Sequence, residues 1–350
     1  VELPNFVRQW LAGQPDQSYS IALPEGRDPR VQSAACTLAE FPCLARVDLF
    51  DGGIGPALRL DANLSPVSQV ARNKIKLKPW DVQGQERLED FFRQLQLRGK
   101  TPPKVENLLE DGRWSLYLAG IALQTQQVSA VVAGCQFATS EVIRASLACV
   151  GMEPGVSKLS GAFILNKLES VSGEKARLFI ASDCAVQVNP SAEEVGEIAY
   201  LACEARRIFV PESVVKVAFL SFSSKGSAKH PEQEKMARAA RTFKEHWAGD
   251  SGTLSEGELQ FDAAIDSEIA QRKDPTGVLR GEANCLIFPN LDAGNIAYKM
   301  AQRWGGFEAY GPILLGLAKP YNDLSRGASS HDIVVTALLA LMRAEIGSRH

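Results

Sequence analysis

The chain has 350 residues, 45% of them hydrophobic and 23% charged, with a net charge of −3. These are ordinary globular values with room for two domains, and the mild acidity implies no basic face for a phosphate backbone, so no nucleic acid is expected. The longest apolar runs, such as "IVVTALLALM", fall short of the roughly 20 residues a membrane span needs, so no membrane association is expected either.

The first segment, "VELPNFVRQWLAGQPDQ", lacks the basic-then-apolar order of a signal peptide. "SIALPE" (20–25) reads as a strand that ends at Pro24, and "PRVQSAACTLAE" as the helix after it. "GGIGPA" (52–57) offers Gly53 and Gly55 as part of a dinucleotide fingerprint, but without the third glycine it reads as a plain turn. "VSAVVAGC" (128–135) is a buried strand, with a helix starting in "ATSEVIRASLACV". Further strands are "KARLFIAS" (175–182), "VVKVAFLSF" (214–222) and "ANCLIFPN" (283–290). Between them, "SAEEVGEIAYLACEARRIF" opens with capping-box spacing from Ser191 to Glu194, and "HPEQEKMARAARTFKEHWA" is amphipathic with a basic, solvated face.

This alternation predicts an α/β protein whose sheets are mostly parallel and covered on both faces. Two Gly/Pro-rich stretches, "VGMEPGVSKLSG" (150–161) and "WGGFEAYGP" (304–312), read as domain edges. The expected organisation is a discontinuous first domain, 1–154 and 314–350, with a second domain, 155–313, inserted into it. Ligands in such folds bind at the carboxyl ends of strands and in clefts between domains.

The seven Cys are odd in number, lack a CxxC pair and sit in apolar runs, which suits reduced thiols in a cytoplasmic protein. The four His stand far apart, so no metal site is expected. Cys184 in "SDCAV" has no His near it in sequence and reads as a small buried residue rather than a nucleophile. "SSKGSAKH" (223–230) lacks Walker spacing. It is either a turn that needs Gly226 or a cleft loop in which Lys225 and Ser227 face phosphate.

The most polar connector is "KPYNDLSRGASSHD", set between two apolar runs near the end of the chain. Ser329 or Ser330 can cap the following helix, with Ile333, Val334, Leu338, Leu341 and Ile346 on its apolar face and Asp332 at the third position of a capping box. The same residues also make a carboxylate at a helix N-terminus beside a hydroxyl, Ser325, and a cation, Arg326. The helix dipole favours an ionised base there, and an Arg can stabilise a developing oxyanion. His331 reads as an exposed neighbour of that base.

"GPILLGLAKPYNDLSRGASSHDIV" resembles the C-terminal signature of the phosphate acetyltransferase/phosphate butyryltransferase family. "SIALPEGRDPRV", "SDCAVQVNPSAEEVGEIA", "AFLSFSSKGSAKH", "EGELQFDAAI" and "FPNLDAGNIAYKMAQR" follow that family's order. The resemblance implies two three-layer α/β/α domains with a cleft between them, a homodimer, and acetyl transfer between coenzyme A and inorganic phosphate. It implies that Ser325 orients the CoA thiol, Arg326 polarises the acyl carbonyl, Asp332 takes the thiol proton and Arg144 holds phosphate, with Asn322 also in substrate binding. CoA is then a substrate, with acetyl-CoA, phosphate and acetyl phosphate as the other small-molecule partners and no prosthetic group. Two departures stand out: Phe137 replaces the histidine of "GAxHS", and the arginine of "LRKHKG" falls on Leu95, so that Arg93, Arg98 or Lys100 has to supply its charge; Arg98 is grouped with the substrate-binding residues. The other activities compatible with the resemblance are butyryl or another short-acyl transfer and a catalytically silent acyl-CoA-binding module like the segment fused to some malic enzymes. The retained Ser325, Arg326 and Asp332 argue against the silent module.

Overall fold

The computed structural model describes residues 2–53, 68–167, 176–211, 213–247 and 252–347. Gly55 and the side chain of Ile346, both named above, lie outside the described residues. The chain forms two compact units, Val1–Pro154 with Leu317–His350, and Gly155–Gly316.

The first unit is built on β1 (Tyr19–Leu23), β2 (Leu44–Phe50), β3 (Ile75–Lys78), β4 (Ala130–Val132) and β11 (Tyr321–Asn322). They lie in the order β11-β4-β1-β2-β3, and every pairing is parallel. β1 is central, and Ile21, Ala22 and Leu23 are all buried, as a strand covered on both faces requires. α1 (Asn5–Ala12) precedes β1. α2 (Pro29–Glu40) starts on Asp28, whose carboxylate accepts from Arg30 N, with Pro29 in the first turn where a missing N–H costs nothing. α2 packs on β2 and on α13 (Ser330–Gly347), which also covers β4.

α3 (Gln69–Lys74) leads into β3. α4 (Val82–Leu97), α5 (Val105–Glu110), α6 (Trp114–Gln124) and α7 (Thr139–Cys149) follow; α6 packs on β4, α4 and α7. Instead of a single apolar stripe, α13 is buried continuously from Ile333 to Met342. A helix that is apolar all round is an interior helix, and "IVVTALLALM" is that kind of sequence.

The second unit has β5 (Ser160–Lys167), β6 (Arg177–Ser182), β7 (Lys216–Leu220), β8 (Leu254–Leu259), β9 (Cys285–Ile287) and β10 (Glu308–Leu315). Their order is β10-β5-β6-β9-β7-β8. The β10/β5 and β5/β6 pairs are antiparallel, whereas β6, β9, β7 and β8 pair in parallel. Part of "WGGFEAYGP", read as an edge from its Gly and Pro content, is thus the start of a strand.

α8 (Ala192–Phe209) carries the capping box read from its sequence: Ser191 N donates to Glu194 Oε2 at 2.8 Å and Glu194 N to Ser191 Oγ at 3.3 Å. α8 and α9 (Pro231–His246) pack on each other, and α9 also on β7 and β8; α9 buries Met236, Ala240 and Phe243 and turns its charges outward. The short α10 (Phe261–Ile265) and α11 (Ser267–Lys273) pack together, and α12 (Leu291–Arg303) packs on β5, β6 and β10. Both units are therefore α/β with mostly parallel sheets.

Candidate active site

The strand order of the first unit reverses between β1 and β4, and such a switch point is where a crevice opens at the carboxyl ends of the strands. Three segments leave the sheet there: Pro24–Asp28 after β1, Ala133–Ala138 after β4, and Asp323–Ser329 after β11. Glu25 organises them. Its carboxylate is 1% exposed and accepts the backbone N–H groups of Gly134, Cys135, Gln136 and Phe137 at 2.8, 2.9, 2.7 and 2.9 Å. Burial pushes its pKa up, and the four N–H groups pull it back only in part. Gly134 has φ of 111°, and a Cβ there would collide with Asp323 Oδ1 and the Leu324 backbone. No other residue type fits this approach between the two loops.

The segment after β11 carries the three residues assigned to the chemistry. Ser325 and Arg326 are exposed on a tight turn closed by Ala328 N donating to Ser325 O at 2.8 Å. The Arg326 guanidinium makes no hydrogen bond or ion pair among the described residues. Asp332 sits in the first turn of α13, where its Oδ2 accepts from both Ser329 N and Ser329 Oγ at 2.8 Å, while Asp332 N donates to Ser329 Oγ at 3.2 Å. The capping role read from the sequence is thus present, and it occupies Oδ2 only. Oδ1 has no hydrogen bond among the described residues.

Two neighbouring side chains are buried with unmet polar atoms. Asn322 is fully buried, and neither Oδ1 nor Nδ2 has a partner among the described residues. Asp323, also fully buried, accepts from Thr139 Oγ1 at 2.7 Å through Oδ2, while its Oδ1 is unpaired. Burial pushes the Asp323 pKa up to about 7, with the nearby Glu25 adding to the rise. The Thr139 bond ties this strand end to the N-terminus of α7, the helix on which Arg144 stands exposed, without a hydrogen bond or ion pair among the described residues.

The remaining assigned residues lie on earlier segments of the chain. Leu95 is 4% exposed and faces the core with Leu88, Phe91 and Phe92, so a cation at that position would be buried. Arg93 pairs with Asp90 at 2.9 Å, whereas Arg98, which ends α4, and Lys100 are exposed and unpaired among the described residues. Lys225 and Ser227 belong to the second unit. Lys225 Nζ lies 2.9 Å from Glu256 and 3.4 Å from Asp274; burial works against its charge, but the two carboxylates outweigh it and raise its pKa. Ser227 Oγ accepts from Ser224 N at 3.1 Å and shares a 3.2 Å bond with Ser223 Oγ. Phe137 is 6% exposed, and its backbone N–H donates to Glu25. His331 Nε2 donates to Glu2 O at 2.6 Å.

Sequence reasoning passed over Glu25, Asp323 and Arg30. For the two carboxylates the available signal was an acidic residue within two positions of the end of a buried strand, in "ALPEGRDPR" and again in "YNDLSR". Asp323 yields a pH prediction. A carboxyl whose pKa is higher folded than unfolded adds stability that is complete below the unfolded value, near 3.8, and is lost as pH rises through about 7. Asp323→Asn should therefore gain thermal stability relative to the parent as pH climbs from about 4 to 7, with no further change above 8. A stability difference that stays flat across that range would contradict the buried neutral carboxyl.

The profile of the phosphate acetyl/butaryl transferase family matches residues 6–341. A phosphate acetyltransferase of Bacillus subtilis is 34% identical over 343 residues, covering 98% of this chain and 99% of the relative. One from Clostridium acetobutylicum is 40% identical over 259 residues, covering 74% of this chain and 75% of that one. The crystal structure of a phosphotransacetylase from Streptococcus pyogenes superimposes with a TM-score of 0.80 at 30% identity, over 99% of this chain and all of that one. With that profile matched over nearly its whole length, the chain belongs to the phosphate acetyl/butaryl transferase family.

Proposed function

We propose that the chain, a phosphate acetyltransferase, moves the acetyl group between coenzyme A and phosphate by direct thiolate attack in a ternary complex, with Ser325, Arg326 and Asp332 as the reacting set. The observation that carries this reading is the contrast on one short segment. Its backbone is tied down, while the Arg326 guanidinium and Asp332 Oδ1 have no partner among the described residues. A thiol with pKa near 8.5 is mostly protonated at neutral pH, so a base has to remove its proton. Asp332 Oδ1 accepts that proton as the sulfur bonds to the carbonyl carbon of acetyl phosphate, with Ser325 Oγ orienting the thiol. The carbonyl electrons move onto oxygen, where Arg326 stabilises the charge. Collapse of this adduct breaks the bond to the phosphate oxygen, and phosphate leaves toward Arg144, with the thiol proton returning to it or to solvent. Asn322 completes the proposed substrate contacts of this unit, and Arg98 supplies a cation for the CoA phosphates.

No acyl-enzyme is needed. Cys184, two residues after β6, is fully buried, and burial raises its thiol pKa well above the ordinary value. We also place the chain in the cytoplasm, a reading supported by its free cysteines. Each unit is proposed to be a domain, with the reacting set on the discontinuous one.

The second unit supports self-association. An apolar groove of about 1350 Å³ runs over it, lined by Leu165, Phe179, Leu286, Phe288 and the half-exposed Phe222 and Phe261. Along α12 and onto its C-cap, Ile296, Met300 and Trp304 recur every four residues, 56%, 45% and 81% exposed. Helical spacing puts them on one face, and contiguous exposed apolar surface of this kind marks an interface; a second copy is the occupant proposed.

Asp332→Asn keeps a polar first-turn residue, so folding stability should fall by no more than the roughly 0.5–2 kcal/mol of a lost cap. Turnover should fall by roughly 100-fold or more, within the usual range for a general base. Initial-rate plots for the parent should intersect. Near-normal turnover of Asp332→Asn at neutral pH, or parallel lines, would contradict the mechanism. Sedimentation velocity should give a dimer for the parent and a monomer for the double variant Ile296→Glu, Met300→Glu. A monomeric parent, or a variant that sediments with the parent, would rule out this face.

A further inference from the structure

Arg30 is the second residue of α2 and has no role in the chemistry above. A guanidinium has five N–H donors in a fixed fork. All five are used. Nε donates to Asp28 Oδ1 at 3.0 Å, and one Nη2 hydrogen goes to Asp28 Oδ2 at 2.7 Å. The other Nη2 hydrogen goes to Cys135 O at 3.0 Å. Nη1 donates to Arg326 O and to Ala328 O, both at 2.8 Å.

One side chain therefore joins three segments: the cap of α2, the loop after β4 whose N–H groups Glu25 fills, and the turn that carries Ser325 and Arg326. The bidentate pairing with Asp28 fixes the plane of the guanidinium, because Asp28 is itself held as the helix cap and is 4% exposed. Burial alone would raise the Asp28 pKa; pairing with Arg30 reverses this and holds it below the ordinary carboxylate value. With every donor committed, Arg30 has nothing left for a substrate anion. Arg326 and Arg144 are the opposite case, exposed and without hydrogen bonds among the described residues.

We propose that Arg30 is a positioning residue for acyl transfer, gripping the carbonyls of Arg326 and Ala328 so that the Ser325 hydroxyl and the Arg326 guanidinium are presented in one fixed arrangement. The proposal rests on the Ser325–Arg326–Asp332 reading. A lysine cannot replace Arg30, since three donors on a point charge cannot span Asp28, Cys135 and two carbonyls. Misplacing reacting groups by about 1 Å costs on the order of 100-fold in rate, and substrate affinity need not change with it.

The test uses the whole chain with Arg30→Lys and, in case that variant folds poorly, Asp28→Asn, which keeps the cap but weakens the grip on the guanidinium. Steady-state kinetics with CoA and acetyl phosphate are paired with amide hydrogen exchange over residues 325–329. The expected result is faster exchange in that segment, kcat lower by roughly 100-fold in Arg30→Lys and by less in Asp28→Asn, and Michaelis constants within about twofold of the parent. Unchanged exchange would overturn the brace and leave the reading of Ser325, Arg326 and Asp332 intact. Faster exchange with unchanged kcat would overturn the proposal and remove the catalytic reading of the turn as well. A rise in the Michaelis constant for phosphate or CoA with kcat preserved would make Arg30 a substrate ligand and overturn it too.

Discussion

The first unit depends on one buried carboxylate. Four consecutive backbone N–H groups, Gly134 to Phe137, point into one space at the carboxyl ends of β1 and β4, and Glu25 fills it. Hydrogen bonds to a charged acceptor contribute roughly 1.5–3 kcal/mol each, and an orphaned buried donor costs about 1–3 kcal/mol. The raised pKa of Glu25 shows that desolvation remains the larger opposing effect, so the carboxylate is tolerated because the loop needs it. Its neighbours follow from it. Gly134 reaches Asp323, Asp323 reaches Thr139, and Cys135 O receives Arg30, which holds the turn of Arg326.

The second unit uses the same device at its own strand ends. Glu258 accepts Gly226 N at 2.7 Å and Ser223 Oγ at 2.9 Å within "SSKG". Asp183 accepts the N–H groups of Gly161, Ala185 and Val186 at 2.7–2.8 Å. Loops with converging N–H groups are ready-made anion sites. Here internal carboxylates accept those N–H groups. The contrast is clearest among the arginines of the first unit: Arg30 has every donor committed, whereas the Arg326 and Arg144 guanidiniums make no hydrogen bond or ion pair among the described residues.

Much of this was legible in the sequence. Strands β1, β4, β6, β7 and β9 are short apolar runs beside recognisable helix starts, and the Ser191–Glu194 box needed only spacing. The Asp332 cap was legible for the same reason, since capping is local chemistry. Strands β2, β3, β5, β8, β10 and β11 were not read. β8, "LSEGEL", has no apolar run, and β10, "EAYGPILL", contains a Gly and a Pro that suggest a break. The strand character of β8 and β10 comes from pairing with partners far along the chain, Leu254–Leu259 with β7 and Glu308–Leu315 with β5, which no local pattern encodes. The burial of Leu95 and the Glu25 hub were hidden similarly, because each depends on contacts made only once the sheet has formed.

The central claim is that Glu25 shapes the loop after β4 and, through it, the reacting turn. Amide hydrogen exchange at Gly134–Phe137 in Glu25→Gln, read beside turnover, tests it most directly. An amide side chain has one oxygen where the carboxylate has two, so it cannot satisfy all four donors. The account predicts that at least two of the four amides lose protection and that turnover falls with them. Four amides as protected as in the parent, with turnover unchanged, would contradict it.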